Sequence, residues 1–265
     1  MNGILRDTLA ELLDRKMLFV FVAVTAIAVI VVAATSSIDM RIQITGPNSS
    51  DNVSPLLAAN SAIVKIFGFF MSLLVFLATM ASASLIPNVL EKGRADFYLT
   101  KPLSRGSFLI RKYVAIWLSY GGIVIACGAI VVITAAVVHG FSNLAIVYLF
   151  GASLVNLAIW LSITVTIGVL SRSVPMAIMA AFLVWVAQTV LSGHEAIGNF
   201  VNSNVTKYVI DTLYYIFPKP SALFDQATDL CLGRQPNDWI PLLSSIAFAV
   251  GMMIAAVVVI KRKEY

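Results

Sequence analysis

The sequence predicts an all-α, polytopic membrane protein of six transmembrane helices, and three observations carry that prediction. The 265 residues are 60% hydrophobic and only 12% charged, with a mean hydropathy of +0.93, whereas soluble chains carry roughly 25% charged residues. Uncharged runs recur at about the 20-residue length that crosses a bilayer core. The basic residues cluster beside those runs instead of forming one face, so the net charge of +5 reads as topology signalling and not as a nucleic-acid surface. Each run must be helical, because lipid gives backbone amides no partner and runs this continuous do not alternate as barrel strands do.

Residues 2–15 come first. Ile4, Leu5, Thr8, Leu9, Leu12 and Leu13 recur at helical spacing and leave Arg6, Asp7, Glu11 and Asp14 opposite, the pattern of an amphipathic helix lying in the membrane surface. The apolar run behind it exceeds the roughly 7–15-residue core of a secretory signal and is expected to stay as the first span, 17–38. The remaining spans are expected at 66–90, 113–138, 141–171, 173–193 and 239–260. The third and fourth divide at His139-Gly140, and Pro241 falls in the first turn of the sixth, where its missing amide hydrogen is harmless. Together they make one transmembrane domain over 1–265.

Between the second and third spans lies EKGRADFYLTKPLSRGSFLIRK, residues 91–112, the one long charged interruption. Its Lys92, Arg94, Lys101, Arg105, Arg111 and Lys112 outnumber Glu91 and Asp96, which places it in the cytoplasm. With six spans both termini join it, and thirteen of the eighteen Lys and Arg residues then lie inside. Within the loop, Ala95 to Leu99 form a short amphipathic piece carrying Phe97, Tyr98 and Leu99, stopped by Pro102, and it suits docking to a partner. On the other side, 39–60 is a polar, turn-rich excursion. Residues 194–238 repeat apolar positions at helical intervals, including Phe200, Val205, Tyr208 and Leu213, so an amphipathic helix is expected along the outer interface, broken at Phe217-Pro218-Lys219-Pro220. Tyr214, Tyr215 and Phe217 suit the aromatic belt better than ligand contact.

Catalytic chemistry is thin. There is no G-x-x-x-x-G-K-[ST] phosphate loop, so the chain is not expected to hydrolyse nucleotide. Gly151-Ala152-Ser153-Leu154 resembles the serine motif of rhomboid proteases, but no histidine follows His194 to serve as base. His139, His194, Cys127 and Cys231 show no metal-ligand spacing. Polar residues inside the spans, among them Asn156, Ser162, Thr164 and Thr166, read as helix-packing groups in preference to path-lining ones. No span carries a charge, unlike ion-coupled carriers, so the power for transport must come from elsewhere. A self-contained channel or carrier is the alternative.

A family resemblance follows from the order of segments and from the 91–112 loop. Glu91, Leu99, Thr100, Lys101, Pro102, Leu103, Ser104, Arg105, Leu109 and Lys112 resemble the loop of type-2 ABC exporter permeases, where a glutamate begins a coupling helix and a KPLSR stretch leads into the third span. The resemblance implies an exporter permease, a homodimer working with two separate ABC ATPase subunits in a lipid bilayer, taken as the bacterial inner membrane. ATP and Mg would be held by the ATPase and no cofactor by this chain. It further implies coupling through Glu91, Arg94, Asp96, Phe97, Leu99, Lys101, Pro102 and Arg105, and an elbow helix presenting Ile4, Leu5, Leu9, Leu12 and Leu13. A path lined by spans one, two and five would offer Thr79, Ser82 and Gln188.

Overall fold

The computed structural model describes residues 17–35, 55–85, 104–192, 217–235 and 238–262, together with Arg6, Thr8, Ala10, Glu11, Pro87, Thr212 and Tyr214. Among these residues every regular element is a helix: α1 Met17–Thr35, α2 Pro55–Ser82, α3 Arg105–His139, a 3-10 turn at Leu144–Ile146, α4 Val147–Ser171, α5 Val174–Ser192, α6 Pro220–Cys231 and α7 Ile240–Arg262. Four helical stretches are long and apolar enough to cross a membrane, within α2, within α3, through the 3-10 turn and α4, and along α7; α1 and α5 are shorter apolar helices. The elbow positions Ile4, Leu5, Leu9, Leu12 and Leu13, and the loop from Glu91 to Pro102, lie outside the described residues.

Helix boundaries differ from expectation at Lys65 and at Arg105–Lys112, where charges were taken as boundaries, whereas the boundary at Arg172 coincides with the end of α4. α3 starts at Arg105, so residues 105–112 are helical and do not belong to a loop. Ser104 sets that start: its Oγ accepts from the Ser107 amide at 3.3 Å, satisfying one of the unpaired donors of the first turn. α2 starts at Pro55 and runs through Lys65, which is exposed. Lysine is a good helix former and its stem lies along apolar surface while its charge reaches water, so one such residue does not end a helix. At the outer segment, Pro220 does not merely break a helix; it opens α6 at its first position, where a missing amide costs nothing. The stops are chemical as well. Gly140 ends α3 with φ 64, its amide reaching Ala135 and Ala136 carbonyls, and Asn143 Oδ1 accepts from the Ala145 amide to start the next turn. Pro241 falls in the first turn of α7.

The core is organised around α4, which packs against α2, α3, α5, α6 and α7, while α1 leans on α2 and α3. Side-chain bonds fix the crossings. From α3, the Tyr113 hydroxyl donates to the Ala158 carbonyl at 2.8 Å and Trp117 Nε1 to the Leu154 carbonyl at 2.9 Å. Thr166 on α4 donates to the Met252 carbonyl of α7 at 2.9 Å. Phe67 meets Phe150 edge-on at 5.6 Å, and Phe21 of α1 meets Tyr120 of α3 at 6.3 Å.

Helix directions follow from these contacts. Gly106 at the start of α3 faces Val257 and Lys261 near the end of α7, whereas Gly68 on α2 faces Leu149 and Thr228. One end of the bundle therefore collects the starts of α3 and α5 and the ends of α4 and α7, with Arg105, Lys112, Arg172, Lys261 and Arg262. The opposite end carries Gly140 and Arg234.

Glycine makes one crossing possible. A Cβ on Gly128 of α3 would stand 2.8 Å from both Met71 Sδ and Phe150 Cε1, while one on Gly122 would meet nothing within 4 Å. Gly128→Ala should cost about 1–3 kcal/mol of stability through overpacking, and Gly122→Ala should cost none. Thermal unfolding of the two variants in detergent checks this, and equal melting points would remove the packing account.

Candidate functional site

At the basic end, Lys112 stands out. It belongs to the buried stripe Leu109–Lys112–Ile116 of α3 and is 1% exposed, although its side chain is a lysine amine. Its Nζ lies 3.5 Å from Glu11 Oε2, and the Glu11 side chain keeps 23% exposure. Thr8, three residues earlier on the same helical face, is fully buried, whereas Arg6 and Ala10 are exposed. Thr8 was placed on the apolar face from spacing. Glu11 was placed on the solvent face, and the structure turns it toward α3 instead. The reason is electrostatic: an ammonium taken out of water needs a counter-charge, and the N-terminal segment supplies one. The signal that could have revealed the pair is the Leu109–Lys112–Ile116 spacing, visible only once Ser104 is recognised as a cap.

The site residues expected in the loop, Glu91, Arg94, Asp96, Phe97, Leu99, Lys101 and Pro102, lie outside the described residues; Arg105 is the first residue of α3. Thr79 and Ser82 are buried, with hydroxyls donating to the Val75 and Thr79 carbonyls of their own helix at 2.9 Å each. Ser162 and Thr164 do the same on α4, and the Thr166 hydroxyl shares its one proton between the Ser162 and Met252 carbonyls. Such bonds satisfy a hydroxyl locally and let helices approach closely.

Gln188 sits differently. It lies near the end of α5 and lines a polar cavity of about 190 Å³ with Tyr214, Phe217, Lys219, Ser221 and Asp225. The cavity forms where the chain turns into α6. Asn156, nine residues and about 13 Å down α4, donates to the Pro220 carbonyl at 3.4 Å, while at the far end of α6 the Cys231 carbonyl accepts from Asn143 at 2.8 Å. α6 therefore runs antiparallel to α4, with its first turn deep and its last at the bundle end. Lys219 pins the turn to α7: its amide donates to Ser245 Oγ at 2.9 Å, its Nζ to Ser244 Oγ at 3.1 Å, and the Nζ stands 4.3 Å over the Tyr214 ring. Burial pushes the Lys219 ammonium below its ordinary pKa, partly opposed by Asp238. Partial burial, then Asp229 one turn on, pushes Asp225 above the usual carboxylate range. Burial also raises the Cys231 thiol to about 11, and its Sγ donates to the Ala145 carbonyl. Sequence reading took Phe217-Pro218-Lys219-Pro220 as a break and Phe217 and Tyr214 as belt residues; it did not foresee that the break folds inward.

A family model described as ABC-2 family transporter protein matches residues 8–265, from the N-terminal helix through α7. No curated protein matches the chain at a significant level.

Glu11→Gln removes a carboxylate 3.5 Å from a lysine taken out of water, while Lys112→Met leaves a carboxylate that water can reach. Glu11→Gln should therefore be the more destabilising change, by up to about 3 kcal/mol, and the double change to Met at both positions should recover most of the loss. Melting curves of the three variants decide it; a Lys112→Met variant less stable than Glu11→Gln would refute the pairing account. At Asp225 the folded pKa is raised, so its ionisation opposes folding: stability is fullest below about 3.8, its ordinary value, and falls as pH climbs through the raised one. Asp225→Asn should raise thermal stability at neutral pH, with the gain vanishing in acid. A gain that persists unchanged at low pH would rule out ionisation as its source.

Proposed function

The chain belongs to the ABC-2 family of transporter membrane proteins, and on that premise we propose that it is an exporter permease, working as a homodimer with two copies of a separate ATPase. The observation that carries this reading is the family match, which spans every described helix. An integral membrane component of an ABC transporter follows from that match and from the long apolar helices. α1 and α5, at 19 residues each, rise about 28 Å, close to the ~30 Å hydrocarbon core. Counting them as spans gives six, with both termini on the side of the basic end, and the positive-inside rule makes that side cytoplasmic.

ATP and Mg then belong to the partner, since the chain carries no phosphate loop. The ATPase docks on the loop through Glu91, Arg94 and Phe97, whose i, i+3 and i+6 spacing would bring them to one broad side of a helix. Closure of the two ATPases pushes that loop. The Glu11–Lys112 pair supports a route onward, because it ties the N-terminal helix to the root of α3 just past the loop, so that both move together. Among the path candidates, Gln188 reaches a polar cavity, while Thr79 and Ser82 face the interior of the chain.

Phe97→Ala should leave expression and dimer formation near normal, weaken ATPase association by a few kcal/mol as interface aromatics do, and abolish transport. The check is co-purification of the ATPase with permease variants in nanodiscs. Undiminished association would sink the coupling assignment; loss of folded permease would make the loop structural instead.

A further inference from the structure

The cavity beside Gln188, one of the path candidates, has a defect that calls for a ligand of its own. Gln188 is 9% exposed, and its Oε1 has no hydrogen-bond partner among the described residues. A buried carbonyl oxygen left unpaired costs about 1–3 kcal/mol, so such atoms are normally met by protein, water or a ligand. Here the orphan acceptor lines a space of about 190 Å³. That is room for several non-hydrogen atoms, since one water requires only about 10–15 Å³ of such volume.

The charges around the cavity narrow what fits. Lys219 contributes an ammonium and Asp225 a carboxyl group, so an anion meets Asp225 and a cation meets Lys219. A neutral ligand meets neither penalty. The polar groups also fall into a pattern: Gln188 Oε1 and the Asp225 carboxyl accept, the Ser221 hydroxyl both donates and accepts, and Phe217 supplies an apolar wall. Hydroxyl groups are the neutral chemistry that donates to the first two and accepts from the third, and a carbon ring or short chain bearing them would lie against the aromatic side.

We propose that this cavity binds a neutral, hydroxyl-rich ligand, a glycosyl or polyol group, anchored by a hydrogen bond donated to Gln188 Oε1. The site stands on the cavity's own geometry and does not depend on the direction of transport. Its ligand arrives either free in solution or as the headgroup of a lipid, and both sources share the same hydroxyl chemistry.

The test uses the full-length chain in phosphatidylcholine nanodiscs, with monoglucosyl diacylglycerol as probe, phosphatidic acid as a charged control and free glucose as competitor. Retention of each lipid is read by native mass spectrometry. The glucosyl lipid should be retained over phosphatidylcholine and phosphatidic acid. Gln188→Leu should weaken its retention about tenfold, the loss expected for one hydrogen bond. Gln188→Glu keeps an acceptor and should retain binding, while Ala222→Phe fills the cavity with residue 188 left as glutamine and should abolish it, which guards against a Gln188→Leu variant that fails to fold. Displacement of the glucosyl lipid by glucose assigns the free sugar as sufficient; retention against glucose assigns the lipid-linked form. Retention unaffected by both Gln188→Leu and Ala222→Phe, preference for phosphatidic acid, or no glucosyl lipid retained above phosphatidylcholine overturns the proposal, the last leaving the cavity to water.

Discussion

Helix α4 is enclosed by five other helices, and in a bundle this apolar an enclosed helix has no water with which to satisfy its polar groups. Fourteen of its 25 residues are buried, among them Ser153, Asn156, Ser162, Thr164 and Thr166. The hydroxyls resolve the problem by donating to carbonyls three or four residues back. Their small size then lets neighbours approach, and the same backbone accepts Tyr113 and Trp117 from α3 while Thr166 reaches α7. The arrangement of α3 and α7 depends on those few bonds, since van der Waals packing among apolar helices in lipid has no hydrophobic force behind it.

Two lysines mark the ends of this arrangement and meet the same electrostatic demand in different ways. Lys112 is buried in the α3 stripe and met by the Glu11 carboxyl group of the N-terminal segment. Lys219 is buried at the turn into α6 and met by the Ser244 hydroxyl, the face of Tyr214 and the charge of Asp238. Each therefore ties a segment outside the bundle to a helix within it. The first tie joins the N-terminal helix to α3 beside the loop assigned to ATPase docking. The second folds a polar turn inward toward Asn156, and that inward fold is what creates a cavity of mixed charge at the end of α5.

Much of the helical architecture was legible before any contact was known. Charge-free runs of bilayer length required helices because backbone amides in lipid have no other partner. The His139-Gly140 stop was legible because only glycine adopts a left-handed cap without strain, and the Pro241 start because proline suits a first turn. The misjudged boundaries share one cause. Lys65 and the stretch from Arg105 to Lys112 were treated as breaks between spans, but charge does not terminate a helix; caps and prolines do, and Ser104 with its Ser107 bond is the actual start. Of the site residues, Gln188 was legible as a polar residue in an apolar helix, whereas Lys219, Ser221 and Asp225 were not singled out.

The sequence by itself determined that the chain is a helical membrane protein with its basic residues beside its apolar runs, because those properties depend on composition and on local order along one helix at a time. It also contained the family likeness, which the match over residues 8–265 shows. Only the tertiary structure decided that Glu11 faces Lys112 across a separation of 101 residues and that Asn156 meets Pro220 across 64. It alone placed the Gln188 oxygen, unpaired among the described residues, at a cavity shared with Lys219 and Asp225. Pairings of that kind arise from how helices cross, and crossing is set by the shape of whole faces, which no local pattern of residues encodes.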